Sequence, residues 1–185
     1  MLIVVLGPDG AGKTTLAKGL ANALEQGEYR YLGHNTNRHY RVGQHWMASL
    51  PNRWFWVRGV RKLLVLWNDW LDHRTTPTEL TIADRCSVDW VVGNRLFGRK
   101  SWRMYQWLVR WFPKPDLVLL LEGDPELIHR RKPEHPPARL TTLMRLYHHY
   151  LLQEKIPFRT IDTTQNNVSE ALGIGTKYIH QLITR

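Results

Sequence analysis

The residues best able to do chemistry lie near the start of the chain, in Gly7-Pro-Asp-Gly-Ala-Gly-Lys-Thr14. This is the spacing G-x-x-x-x-G-K-[ST]. Glycines at 7, 10 and 12 let the backbone curl until several N–H groups face one anion. A helix starting near Lys13 adds the positive end of its dipole. The phosphate-contacting stretch runs Gly7–Thr15 and takes in Asp9, Ala11 and Thr15. Lys13 is expected to reach the β- and γ-phosphates of a nucleoside triphosphate. Thr14 is expected to be a hard oxygen ligand for magnesium. The spacing therefore predicts ATP and Mg²⁺ at this loop.

Further along, carboxylates and guanidinium groups recur in short constellations. Asp84-Arg85 closes the apolar run Leu80–Ala83, and Asp89 follows four residues after Arg85. Asp69 sits in a tryptophan-rich stretch. Such carboxylates can accept a proton from a hydroxyl, and the planar fork of arginine matches phosphate. Arg130, Arg131 and Arg139 flank a segment with three prolines. The histidines form no convincing metal set, and Cys86 has no acid–base partner in sequence.

These residues need a scaffold, and the pattern supplies one. Leu2–Leu6 is a continuous apolar run, as in a buried central strand. Leu16, Leu20, Ala23 and Leu24 then recur at helical spacing. Strands are expected at Tyr29–Gly33, Leu80–Ala83, Leu117–Leu121 and Phe158–Ile161. Helices are expected at Arg53–His73, Val88–Leu96, Trp102–Phe112, Pro125–Arg131, Leu140–Glu154 and from about Ser169 onward. Lys132–Arg139 reads as a loop. The alternation predicts an α/β fold with a five-stranded parallel sheet flanked by helices, its first strand central. Residues 1–185 read as one domain.

The chain has 185 residues, 43% hydrophobic, enough for a core. No apolar run approaches the length of a membrane span, and the single cysteine allows no internal disulfide, so a cytoplasmic protein is expected. Twenty-six cations against 16 acids give a net charge of +10. Arg30–Asn68 holds seven basic residues and no acid, and Trp90–Pro115 holds six more with none. These two segments also carry eight of the nine tryptophans. That composition suits an anionic partner with faces to stack, a nucleic acid or an anionic glycan. No Asn-Lys-x-Asp guanine motif is present, which argues against a GTPase.

The loop Gly7–Leu16 resembles that of thymidylate kinases, which carry an acidic residue at the position of Asp9. Asp84-Arg85 resembles the Asp-Arg pair of that family. Leu121-Glu-Gly-Asp-Pro-Glu126, with Arg130 and Arg131, resembles the stretch leading into its lid. Ile161-Asp-Thr-Thr-Gln165 resembles its segment near the adenine. The resemblance covers nearly the whole chain. It implies a P-loop kinase fold, with acceptor-side segments at about 30–75 and 86–115 and a lid at about 130–139. It also implies that Asp84 holds a magnesium-bound water, that Arg85 contacts the transferring or acceptor phosphate, and that a lid arginine, Arg131 first among them, engages the γ-phosphate. Where that family reads a base with Ser and Gln, this chain has Asp89 and Asn94. Where it places a phosphate-binding arginine, this chain has Asp69.

Asp84-Arg85…Asp89 and Arg131-Lys-Pro-Glu134 are also similar to a looser group of thymidylate-kinase-like proteins, some associated with bacterial polysaccharide synthesis. Acceptor contacts are thus expected from Asp9, Asp69, Arg85, Asp89 and Asn94, with Asp69 or Asp89 as base. The resulting expectation is an ATP-dependent phosphotransferase. One alternative acts on a hydroxyl of a larger anionic acceptor, and another is a nucleic-acid-binding P-loop ATPase. The sequence leaves open whether the chain is a monomer or a homodimer.

Overall fold

The computed structural model describes residues 1–33, 67, 70, 71 and 79–184. Among them run, in order, β1 (Leu2–Leu6), α1 (Lys13–Ala23), β2 (Gly27–Tyr31), β3 (Leu80–Asp84), α2 (Val88–Leu96), α3 (Trp102–Val109), β4 (Leu117–Glu122), α4 (Pro125–Arg131), α5 (Pro137–Gln153), β5 (Phe158–Asp162) and α6 (Val168–Ile183). All strand pairs are parallel, and the order across the sheet is β2-β3-β1-β4-β5. β1 is central, as its unbroken apolar run predicts.

Burial follows from that position. All five residues of β1 are buried because neighbours cover both its sides and both its faces. Val4 and Leu6 pack into one core layer beside Val91, Leu143 and Tyr147 of α2 and α5. Ile3 and Val5 pack into the other beside Leu16, Leu20 and Ile179 of α1 and α6. Such alternation is the period-two consequence of the pleat. The edge strands β2 and β5 keep polar, partly exposed residues.

Several expected boundaries shift. The second strand begins at Gly27, two residues early, because the turn out of α1 is tight. A Cβ on Gly27 would stand 2.7 Å from the Ala21 carbonyl oxygen. The loop expected over Lys132–Arg139 is shorter, since α5 already starts at Pro137. Proline in the first helical turn costs no hydrogen bond there, so the prolines mark a helix start as well as a loop. α3 ends at Val109 rather than Phe112. Asp124 caps α4 as expected, its Oδ1 accepting from the Glu126 N–H at 2.7 Å. The helix expected over Arg53–His73 lies outside the described residues, apart from Trp67, Trp70 and Leu71, which are helical. Among the described residues, no helix is long and apolar enough to cross a membrane.

Candidate active site

The strand β1 delivers the chain to a turn that only glycine can make. Gly7, Gly10 and Gly12 have φ of 143°, 91° and 86°, a region that L side chains rarely adopt. At Gly7 a Cβ would also stand 2.6 Å from the carbonyl oxygen of Leu121 on β4. The loop therefore nests against the neighbouring strand. α1 begins at Lys13, and no side chain caps its first N–H groups, which leaves them available to an anion.

Lys13 is only 5% exposed. Its Nζ donates to the Pro8 carbonyl at 2.8 Å and to Asp9 Oδ1 at 3.2 Å. Burial, followed by the nearby Arg85 charge, lowers its pKa. The Thr14 hydroxyl donates to Asp84 Oδ2 at 2.5 Å, joining the helix start to the end of β3. Asp84 is 1% exposed. Its second oxygen, Oδ1, is buried with no hydrogen-bond partner among the described residues. An orphaned carboxylate oxygen is costly unless something binds it. With the Thr14 hydroxyl it makes a pair of hard oxygens, the kind of protein contribution that suits magnesium shared with phosphates. The residues thus fit the metal that the loop implies.

The next residue turns the chain to a second network. Arg85 has φ 72°, an uncommon left-handed conformation for a non-glycine residue. Gly33 leaves room for its side chain, since a Cβ there would lie 2.6 Å from Arg85 Cδ. The guanidinium donates to Asp9 in a short contact and to Asp89 Oδ2 at 3.4 Å. Tyr147, reaching across from α5, donates to Asp89 Oδ1 at 2.7 Å. Four groups from four elements therefore form one chain: Asp9, Arg85, Asp89 and Tyr147.

Their electrostatics differ. Burial pushes the Asp89 carboxyl above its usual range, and the Arg85 charge and the Tyr147 hydroxyl only partly offset it. Burial also works on Asp9, but there Lys13 and then Arg85 outweigh it, leaving its pKa at about 2. For Arg85, desolvation is overcome by Asp89 and Asp9, so its charge is held firmly. Asp9 thus contributes stability that is present above pH ~4 and lost as pH falls toward ~2, at most about 2 kcal/mol. Asp9→Asn is expected to be less stable than the unaltered protein at neutral pH. The two should converge below pH ~2 in urea titrations. A difference that does not change with pH would show that these ion pairs are not its source.

On the other side of the loop lies a cleft of about 260 Å³, lined by Gly12, Thr15, Arg131, Thr163, Asn166 and Val168, among others. Arg131 donates to the Thr163 carbonyl at 2.9 Å. Asp162 Oδ1 accepts from the backbone of Thr164 and Gln165 and from the Thr164 hydroxyl, which shapes the loop after β5. The cleft opens beside the N-terminus of α1, where the purine end of a nucleotide anchored on the loop could lie.

The expected residues are thus placed unevenly. Lys13, Thr14, Asp84, Asp9, Arg85 and Asp89 come together. Arg131 borders the cleft with Gly12 and Thr15. Arg130 and Arg139 are exposed, and Arg139 stacks on the Phe97 ring at 5.6 Å. The Asn94 amide donates to the Trp90 carbonyl at 2.7 Å and accepts from the Ser101 hydroxyl. Asp69 lies outside the described residues. Cys86 is buried, which pushes its thiol pKa up. Sequence reasoning missed Tyr147, because it falls on the apolar stripe of α5 with Leu140, Leu143, Tyr150 and Leu151. It also missed Tyr29, whose hydroxyl lies 3.4 Å from Asp84 Oδ2.

No protein-family model matches this sequence, and no curated protein matches it. Solved structures do. The chain is similar to a thymidylate kinase from Candida albicans with TM-score 0.72 at 18% identity, covering 97% of this chain and 91% of that one. It is also similar to a deoxyadenosine kinase from M. mycoides, solved with dCMP and dCDP. There the TM-score is 0.66 at 16% identity, covering 98% of this chain and all of the other. At such identities the likeness establishes the fold, that of the nucleoside-monophosphate-kinase-like P-loop proteins.

Proposed function

We propose that this chain, which has the P-loop fold of the nucleoside and nucleotide kinases, is an ATP-dependent phosphotransferase. It would pass the terminal phosphoryl group of ATP to a hydroxyl or phosphate of an acceptor. The observation that carries this reading is one continuous joint. The phosphate loop, the Thr14–Asp84 pair and the Arg85–Asp89 pair meet at the ends of two adjacent strands. A loop that only bound nucleotide would not require the second pair beside it.

The work divides by residue. Loop N–H groups and the α1 terminus bind the phosphates. Lys13, already neighbour to Asp9, carries its charge to the β- and γ-oxygens. Thr14 and Asp84 would hold magnesium, which supplies charge neutralisation on the phosphate oxygens when bound. Arg131 would steady the nucleotide in the cleft. On the other flank, Arg85 would orient the acceptor, and Asp89 would take the proton of an acceptor hydroxyl. Asp89 is suited to that because burial keeps its affinity for a proton high. Asp69, outside the described residues, is kept as the alternative carboxylate, and Asp9 and Asn94 would shape the acceptor flank.

The acceptor follows from charge. Asp9 and Asp89 flank the Arg85 guanidinium, so an incoming monophosphate meets two carboxylates beside the arginine that would bind it. Thymidine monophosphate is therefore expected to be a poor acceptor, with kcat/KM roughly 10²-fold below that of a matched hydroxyl acceptor. Labelled-ATP transfer across nucleoside monophosphates, nucleosides, glycans and DNA tests this. Efficient phosphorylation of thymidylate would refute it. A second form of the reading takes a larger anionic acceptor, a nucleic acid or a lipid-linked or free glycan, and rests on the acid-free stretch Trp90–Pro115. A nucleic-acid-binding ATPase without transfer is the remaining reading. It predicts hydrolysis stimulated by nucleic acid and no labelled acceptor.

A further inference from the structure

The residues given a named role in phosphoryl transfer leave one exposed face unused. Met104 and Trp107 lie three residues apart on α3, and Trp111 follows four later in the turn beyond it. They are 42%, 58% and 69% exposed. Trp107 and Trp111 meet edge to face at 6.2 Å. The Trp70 indole donates to the Trp111 carbonyl at 3.1 Å. Trp70 in turn stacks on Trp67 at 5.1 Å, and Trp67 is 55% exposed. Four tryptophans and a methionine thus form one run of apolar surface, most of it open to water. Continuous exposed apolar surface of this kind marks a contact site rather than a core.

Along Trp90–Pro115 the charges beside it are of one sign, while Asp69 and Asp72, close to Trp67 and Trp70 in sequence, lie outside the described residues. Arg99, Lys100, Arg103, Arg110 and Lys114 are all exposed, and no acid occurs between Trp90 and Pro115. Among the described residues the acid that touches this stretch is Glu154, 11% exposed, which accepts from Gln106 at 2.8 Å and sits 3.5 Å from Arg110. It pairs with Arg110 and with none of the other four cations. A second copy of this chain would bring cations onto cations, so charge disfavours self-association through this face. A nucleic acid strand would satisfy the cations. Its bases, though, need open ring faces set in a groove, whereas these rings project and two of them shield each other.

We infer that the exposed face of Met104, Trp107 and Trp111, with Trp67 beside it, is a docking surface for an anionic lipid bilayer. Indole rings favour the interface between headgroups and acyl chains, methionine adds flexible apolar area, and the surrounding cations attract acidic headgroups. The chain would then lie on a membrane rather than cross it. Its phosphate loop and Asp89 belong to other elements and stay free. The inference stands apart from the transfer chemistry and competes with the reading of Trp90–Pro115 as the seat of a larger anionic acceptor.

Flotation of the full chain with vesicles tests it. Vesicles of phosphatidylcholine with one third phosphatidylserine should carry the protein, and pure phosphatidylcholine should hold at least ~10-fold less, because the electrostatic share of binding is lost. Raising the salt should release it. Brominated acyl chains should quench tryptophan emission in bound protein. Trp107→Ala/Trp111→Ala should lower partitioning at least ~10-fold with an unchanged melting temperature, since neither side chain is in the core. Trp107→Phe/Trp111→Phe should retain most of it. Vesicle binding that survives the alanine pair would overturn the assignment of this face. Salt-sensitive binding of single-stranded DNA without vesicle binding would overturn it in favour of nucleic acid. A dimer seen by ultracentrifugation and lost in the alanine pair, again without vesicle binding, would overturn it in favour of a second copy. No binding to any of these would equally refute it.

Discussion

Lys13→Ala is expected to lower phosphoryl transfer by roughly 10³-fold or more while leaving the protein folded, because the lysine charge acts on negative charge that grows in the transition state. The side chain is buried against the loop and held by the Pro8 carbonyl and Asp9. The nearby Arg85 guanidinium is already paired with Asp9 and Asp89. Removing it leaves the Pro8 carbonyl without this donor, a cost of about 1 kcal/mol that a five-stranded fold should tolerate. Labelled-ATP transfer and a thermal melt on the same preparation check both halves. Near-normal turnover in a folded variant would sink the kinase assignment. Lost turnover together with lost folding would shift the test to Lys13→Met, which keeps the stem and removes only the charge.

Asp89→Asn is expected to cost 10²–10⁴-fold in kcat with a hydroxyl acceptor, the range for removing a general base, and far less in KM for ATP. The pH dependence carries the sharper information. Burial raises the Asp89 carboxyl, and a base works only when deprotonated. Activity should therefore fall as pH drops through that raised pKa, at a higher pH than an ordinary aspartate would show. Tyr147 donates to Asp89 Oδ1 and so favours its charged form. Tyr147→Phe should move the acid limb of the kcat profile to higher pH while the plateau changes little. A merely structural tyrosine would change stability and leave the profile in place. A profile without an acid limb, or one unmoved by Asp89→Asn, would remove Asp89 as the base and leave Asp69 as the carboxylate to test.

The donor side was legible in sequence because local chemistry determines it. Three glycines that must adopt positive φ, followed by Lys13 and Thr14 at a helix start, can be placed by spacing alone. The apolar runs Leu2–Leu6, Leu80–Ala83 and Leu117–Leu121 are strands buried on both faces, and nothing but a covered parallel sheet accommodates them. The same logic put Asp84 at the end of such a strand, and its place beside the metal was what the resemblance to thymidylate kinases implied. Boundaries moved where two signals competed. The prolines at 136 and 137 read as loop, yet proline is equally at home in the first helical turn.

The network around Arg85 and Asp89 was only half legible, because its contacts join residues far apart in the chain. Arg85 meets Asp9 across 76 positions, and Tyr147 meets Asp89 across 58. No periodicity reports such a pairing. Tyr147 carries the spacing of a core residue, and its phenolic oxygen becomes informative only once α5 is laid over α2. The tryptophans make the same point. Composition alone marked them as an aromatic, cation-rich set, and helical spacing gave no means of sorting core from surface. Packing sorted them: Trp90 is 7% exposed and belongs to the core, while Trp107 and Trp111 are more than half exposed. By itself, then, the sequence determined the phosphate loop, the parallel sheet and the strand-end aspartate, all products of local backbone geometry and apolar periodicity. Only the tertiary structure decided which charges neutralise one another and which aromatic rings stay in water, because both depend on which faces the folded helices turn toward the sheet.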